Sequence, residues 1–210
     1  MIHPLFPYPL YLVISESDCH GKDMLTVAEQ AILGGVDIIQ LREKDLSTRA
    51  FLEKACRLKE LTDKHGISLI INDNLTVAMQ VQSYGIHVGN SDIAPTDIRK
   101  QWTGVQNIGY SIECLSQLLS SETEAADYLG ISPVFSTPTK RDTITEWGLD
   151  GIRQIASLTD KPLVAIGNMK LENVEHVIAA GAHSVAVVSA ICAADDPQKA
   201  AFELKNKITK

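Results

Sequence analysis

Gln40, Arg42 and Lys44 in "QLREKD" place an amide and two cations at alternate positions of one short stretch. Side chains two apart on an extended backbone point to the same side, so these three can converge on one anionic ligand. The competing use of the cations is local pairing with Glu43 or Asp45. Further along, Asn72 and Asp73 close the apolar run "SLIIN", and Asp92 follows "GIHV" within "HVGNSD". Two carboxylates on adjacent strand ends can share a hard cation, and Mg2+ accepts one or two carboxylates when substrate phosphates complete its shell. Asp92 has an alternative use as the cap of a helix starting near residue 95. A third concentration is "SPVFSTPTKRDT", residues 132–143, where hydroxyls, prolines and cations follow directly on an apolar strand. Taken alone, such a stretch reads as a solvated loop.

These groups need a scaffold that gathers strand ends. Short runs rich in β-branched residues alternate with longer amphipathic segments, the pattern of repeated βα units around a parallel sheet. Strands are expected at 10–15, 37–41, 68–72, 85–88, 107–111, 127–132, 162–166 and 184–189. Helices are expected at 23–34, 47–65, 75–81, 95–102, 113–121, 149–158, 171–180 and 197–208. The phrases "GGVDIIQL", "EAADYLGIS" and "AAGAHSVAVVS" repeat one transition, a helix end meeting small residues and then a strand. Eight such units in 210 residues fit an α/β fold of one domain over 1–210, a (βα)8 TIM barrel with parallel strands. A doubly wound open sheet is the weaker fit. Barrel enzymes carry their chemistry at the C-terminal strand ends, where the polar strings above fall. His87, inside an apolar strand, reads as a packed or hydrogen-bonded histidine.

Bulk properties narrow the function. A net charge of −7 argues against nucleic acid and anionic membranes as partners, because both reward clustered Lys and Arg. The four cysteines show neither a CxxC pair nor zinc-ligand spacing with histidine, which suits free thiols in a reducing cytoplasm. The prolines of "MIHPLFPYPLYLVIS" break its apolar run, so it does not read as a signal peptide, and no later window reads as a membrane span. Small-molecule substrates are the expected partners, with a homo-oligomeric state left open.

The strings "QLREK", "IND", "HVGxxD", "ADYLGxxPVFxTxTK", the late "IGx" and "VSAI" resemble the thiamine phosphate synthase family, in order and over nearly the whole chain. The resemblance implies a (βα)8 barrel that joins an aminopyrimidine methyl diphosphate to a thiazole phosphate and releases pyrophosphate. It implies that Gln40, Arg42, Lys44 and Asn72, with Leu41 and Glu43 of the same motif, hold the pyrimidine diphosphate, and that Asp73 and Asp92 bind Mg2+. Ser111 and Lys140 would reach the leaving pyrophosphate, which places them with Arg42 and Lys44 among the catalytic groups. Thr137 and Thr139 would hold the thiazole phosphate, with Pro138 limiting the backbone between them and backbone groups near Asn168, Val188 and Ser189 assisting. The implied chemistry is a dissociative alkyl transfer that leans on positioning and electrostatics, without a strong general base.

Two positions depart from the family pattern. Asn168 follows Gly167 where a second glycine is usual, and Glu113 stands where His or Asn is common and is expected to face outward at the start of the next helix. A TenI-like thiazole tautomerase would be expected to lose part of the set Arg42, Lys44, Asp73, Asp92 and Lys140, all retained here, and Ser132 stands where some tautomerases carry histidine. A non-catalytic phosphate-binding barrel would share the fold. The segment 137–148, with an exposed Trp147, is expected to close over substrate and exclude water.

Overall fold

The computed structural model describes residues 2–136 and 145–210. Its strands are β1 (Leu10–Ile14), β2 (Ile38–Leu41), β3 (Ser68–Asn72), β4 (Gly85–Val88), β5 (Asn107–Ile112), β6 (Tyr128–Ile131), β7 (Leu163–Ile166) and β8 (Ser184–Val187). Each is parallel to the next, and β8 pairs with β1 to close a barrel, which settles the choice against an open sheet.

Between the strands run α1 (Met24–Leu33), α2 (Thr48–Lys64), α3 (Leu75–Gln80), α4 (Pro95–Gln101), α5 (Ser121–Ala125), α6 (Gly148–Ala156), α7 (Val174–Ala179), α8 (Ser189–Cys192) and α9 (Pro197–Ile208). Their starts are written locally. Asp23, Ser47, Asn74 and Asp196 accept backbone N–H groups of the first turns of α1, α2, α3 and α9, and Pro95 and Pro197 sit where a helix needs no N–H. Among the described residues no helix is long and apolar enough to cross a membrane.

Strand residues alternate between two cores. Leu12, Ile39, Leu41, Leu69, Ile71 and Leu129 face outward onto Val27, Phe51, Leu58 and Ile155 of the helices. Each such buried Leu or Ile contributes roughly 1.5–3 kcal/mol. The barrel interior holds Phe6, Tyr11, Val13, Ile38, Ile70, Tyr128, Val164 and Ala186. Phe6, entering ahead of β1, lies 4.5 Å from the Tyr128 ring centre and 4.9 Å from that of Tyr8, which fills the N-terminal end with aromatics. Ligand access is left to the opposite mouth.

The strands match expectation closely, β8 ending at Val187 rather than 189. The expected helix at 113–121 is instead a 3-10 turn, Leu115–Leu119, followed by α5. Ser120 separates them: its backbone is extended and its Oγ accepts the Thr123 N–H, a local bond that competes with helix continuation. The short α8 begins at Ser189, inside a segment expected to be strand.

Candidate active site

The exit of β2 presents its residues to alternate sides. Gln40 is buried in the interior and donates its Nε2–H to the Tyr11 hydroxyl at 2.8 Å. Arg42 continues the register, its N–H donating to the Ile14 carbonyl at 2.9 Å, so alternation turns its side chain to the same side as Gln40. Lys44 Nζ lies 3.0 Å from Asp73 Oδ2 at the end of β3. Lys44 does not pair locally: it reaches across to the next strand, and Glu43 is held by Lys54 at 2.7 Å. Leu41 and Glu43 of the same motif turn their side chains the other way. The Leu41 side chain is sealed in the outer core, and Glu43 pairs with Lys54 of α2 and accepts the Glu16 N–H, so neither side chain faces the ligand side.

Asp73 occupies the left-handed region at φ 60°, where Asp and Asn are tolerated better than most residues, and its N–H donates to the His87 carbonyl at 2.9 Å. Asn72, before it, is buried. Asp92 does not cap α4, whose cap position is Ala94 without a side-chain bond. Its Oδ2 accepts the Gly89 N–H at 2.8 Å, folding the loop after β4 back on itself. Burial raises the Asp92 carboxyl above the usual carboxylate range, and the neighbouring Asp73 charge adds to the rise, against the Gly89 bond that lowers it. Two carboxylates are thus brought together at a cost that a cation between them would relieve. Among the described residues no set of three or more His, Cys, Asp or Glu side chains could enclose a metal. A carboxylate pair without a full protein cage suits Mg2+, which keeps waters and takes phosphate oxygens.

Deeper in, Ser111 of β5 lies 2.9 Å from His87 Nε2, and His87 Nδ1 lies 3.0 Å from the Tyr128 hydroxyl. The Tyr128 and Tyr11 hydroxyls are 3.0 Å apart. Room for this crossing comes from glycine: a Cβ on Gly109 would lie 2.2 Å from the Tyr128 ring and 2.3 Å from His87 Nδ1. Burial pushes both tyrosine hydroxyls well above their ordinary range, so they stay protonated. His87 is hydrogen-bonded, as its sequence setting suggested. Tyr11 and Tyr128 escaped the sequence reading, where they passed as ordinary aromatics of buried strands. The small residue facing them, Gly109, was the available signal.

Across the mouth, Asn168 takes φ 52° directly after Gly167 at φ 116°. The left-handed region admits asparagine, so the departure from a second glycine needs no backbone change. Gly167 itself could not be replaced easily, since a Cβ there would lie 2.7 Å from Pro133 Cβ and 2.9 Å from Val134 N. Val188 and Ser189 form the junction of β8 and α8. Thr137, Pro138, Thr139 and Lys140 lie outside the described residues, as does the part of the expected closing segment up to 144. Their flanks do stand at this mouth: the Val134 N–H donates to the Ile166 carbonyl at 2.8 Å, and Thr145 Oγ1 donates to the Glu113 carbonyl at 2.9 Å. Trp147 is not exposed as expected but partly buried against the outer core. Glu113 is half-buried just ahead of the 3-10 turn, its N–H held by Gln117 Oε1 at 2.6 Å.

A family model described as thiamine monophosphate synthase matches residues 10–191. A thiamine-phosphate synthase of Albidiferax ferrireducens is 46% identical over 199 residues, covering 95% of this chain and 91% of the relative. One of Chloroflexus aurantiacus is 41% identical, covering 93% and 90%. Among solved structures, a thiamine phosphate pyrophosphorylase from Pyrococcus furiosus superposes with a TM-score of 0.86 at 30% identity, over 96% of this chain and 95% of that one. A 3-hexulose-6-phosphate synthase, at TM-score 0.68 and 16% identity over 95% and 99%, shares the fold.

Proposed function

This chain belongs to the thiamine monophosphate synthase family, and from that premise we propose how the groups at its barrel mouth divide the work of the reaction. The activity is thiamine phosphate synthesis, an alkyl transfer. The substrates it takes are an aminopyrimidine methyl diphosphate and a thiazole phosphate. The observation that carries the assignment is the cluster at the ends of β2, β3 and the loop after β4, where Lys44 sits 3.0 Å from Asp73, and burial, with the Asp73 charge adding to it, raises the Asp92 carboxyl. Asp73 and Asp92 of this cluster would hold a divalent cation, which would leave Lys44 free to meet phosphate oxygens.

Arg42, Lys44, Lys140 and Ser111 then bind the diphosphate as charge builds on it, while Gln40 and Asn72 orient the ring. A Mg2+ ion held by Asp73 and Asp92 would neutralise diphosphate charge and so improve the leaving group. The bond between the exocyclic methylene carbon and the diphosphate oxygen breaks, and its electron pair leaves with pyrophosphate. The electron-rich aminopyrimidine stabilises the resulting cation, and the thiazole nitrogen lone pair forms the new C–N bond. No proton has to move in this step. Thr137, Thr139, Asn168 and the Val188–Ser189 backbone hold the thiazole phosphate, with Pro138 restricting the backbone between the two threonines. The four cysteines are unpaired, which suits a cytoplasmic setting.

Calorimetry with pyrophosphate tests this division. Binding should be strong with Mg2+ and nearly absent with a chelator, whereas equal affinity in both conditions would remove the metal from the site. Asn168→Gly probes the thiazole side. Loss of an amide donor to phosphate should raise the thiazole phosphate KM by the equivalent of about 1.5–3 kcal/mol and leave the pyrimidine diphosphate KM unchanged. A KM for the thiazole that falls would mean that the side chain crowds the phosphate.

A further inference from the structure

Five polar side chains from five strands form one hydrogen-bonded chain through the barrel, from Gln40 to Tyr11, Tyr128, His87 and Ser111, with spacings of 2.8, 3.0, 3.0 and 2.9 Å. Its two ends are the groups assigned above to the pyrimidine ring and to the leaving pyrophosphate. Its middle is dry: Tyr11 is 1% exposed and Tyr128 0%.

Each tyrosine hydroxyl has one proton, and a buried proton without an acceptor is costly. Tyr11 accepts from the Gln40 amide, so its own proton goes to Tyr128. The Tyr128 proton then goes to His87 Nδ1, which must be bare. His87 in its neutral form carries its proton on Nε2 and donates it to Ser111 Oγ, leaving the Ser111 proton to point out of the chain. Turning the Gln40 amide over would reverse every link and make Ser111 donate inward. With a neutral imidazole, both polarities are consistent with the four bonds of the chain.

We propose that Tyr11, Tyr128 and His87 are positioning residues that tie recognition of the ring to recognition of the leaving group, an inference that rests on the roles given above to Gln40 and Ser111. A pyrophosphate oxygen at Ser111 needs a donor. That selects the polarity in which Gln40 keeps Nε2 toward Tyr11 and offers its carbonyl oxygen to an exocyclic amino group. A ring bearing an acceptor at that place would set the amide the other way and turn the serine proton away from the anion. The chain thereby makes the amino-substituted ring and the anionic leaving group a matched pair.

Long-range 1H–15N spectra of the histidine rings, with His87 assigned by its loss in His87→Asn, read the polarity directly. With Mg2+ plus pyrophosphate bound, His87 should be protonated on Nε2 and bare on Nδ1. The opposite tautomer, or a doubly protonated ring, overturns the proposal. Kinetics test the coupling. Tyr11→Phe and Tyr128→Phe should each lower kcat roughly tenfold with the thiazole phosphate KM within about twofold, and the double variant should also lose about tenfold, because a chain broken once is already broken. Multiplying effects, or a fall in thermal midpoint without a kinetic change, would make these tyrosines merely structural. If the wild-type protein released no pyrophosphate from its substrates, the roles of Gln40 and Ser111 would fail. A wrong tautomer in a protein that does couple them would sink the relay alone.

Discussion

Asp73→Asn should lower the rate of thiamine phosphate formation about a thousandfold, the scale expected when a metal that neutralises a leaving group loses a charged ligand. The fold should be untouched. Asparagine is isosteric with aspartate and accepts the φ of 60° found at this residue. The Lys44–Asp73 pair lost with the charge is part-exposed, with side-chain exposures of 51% and 24%, and such pairs contribute little to stability. The defect should therefore appear in turnover and in the Mg2+ concentration needed, with the thermal midpoint almost unchanged. Turnover close to wild type, or wild-type turnover that persists in a chelator, would contradict the metal assignment.

Lys140→Ala should reduce kcat about a hundredfold while changing the thiazole phosphate KM little. Its charge is needed most when negative charge develops on the departing oxygen, so the loss falls on the transition state more than on the bound substrates. The proposed division gives the neighbouring hydroxyls of "STPTK" to the other phosphate, so Thr139→Ala should show the reverse pattern. Steady-state kinetics with each substrate varied in turn separates the two. A Lys140→Ala enzyme with intact turnover and weakened thiazole binding would exchange these roles.

Much of the site is legible in the sequence because barrel geometry turns strand ends into a single surface. Once "QLREK", "IND" and "HVGNSD" are placed at consecutive strand ends, Lys44, Asp73 and Asp92 have to meet, and they do. The same period of two turns the Leu41 and Glu43 side chains away from Gln40, so shared membership in a motif does not by itself place a side chain. Asp92 was ambiguous because a carboxylate three residues before Pro95 fits either a metal ligand or a helix cap. Its bond to the Gly89 N–H and the bare cap at Ala94 exclude the cap. The break at Ser120 was missed because an apolar periodic segment conceals a serine whose side chain competes for backbone N–H groups. The inner chain of Tyr11, Tyr128 and His87 was the least legible. Strands buried on both faces show no polar alternation, and what links these side chains is contact across the barrel rather than order along the chain.

The most direct test mixes the protein with aminopyrimidine methyl diphosphate, thiazole phosphate and Mg2+ and follows both products by phosphorus NMR. The account predicts pyrophosphate and thiamine phosphate appearing in equal amounts, and neither when Mg2+ is chelated. Pyrimidine diphosphate left intact while the thiazole phosphate is isomerised, or product formed at full rate without a divalent cation, would contradict it.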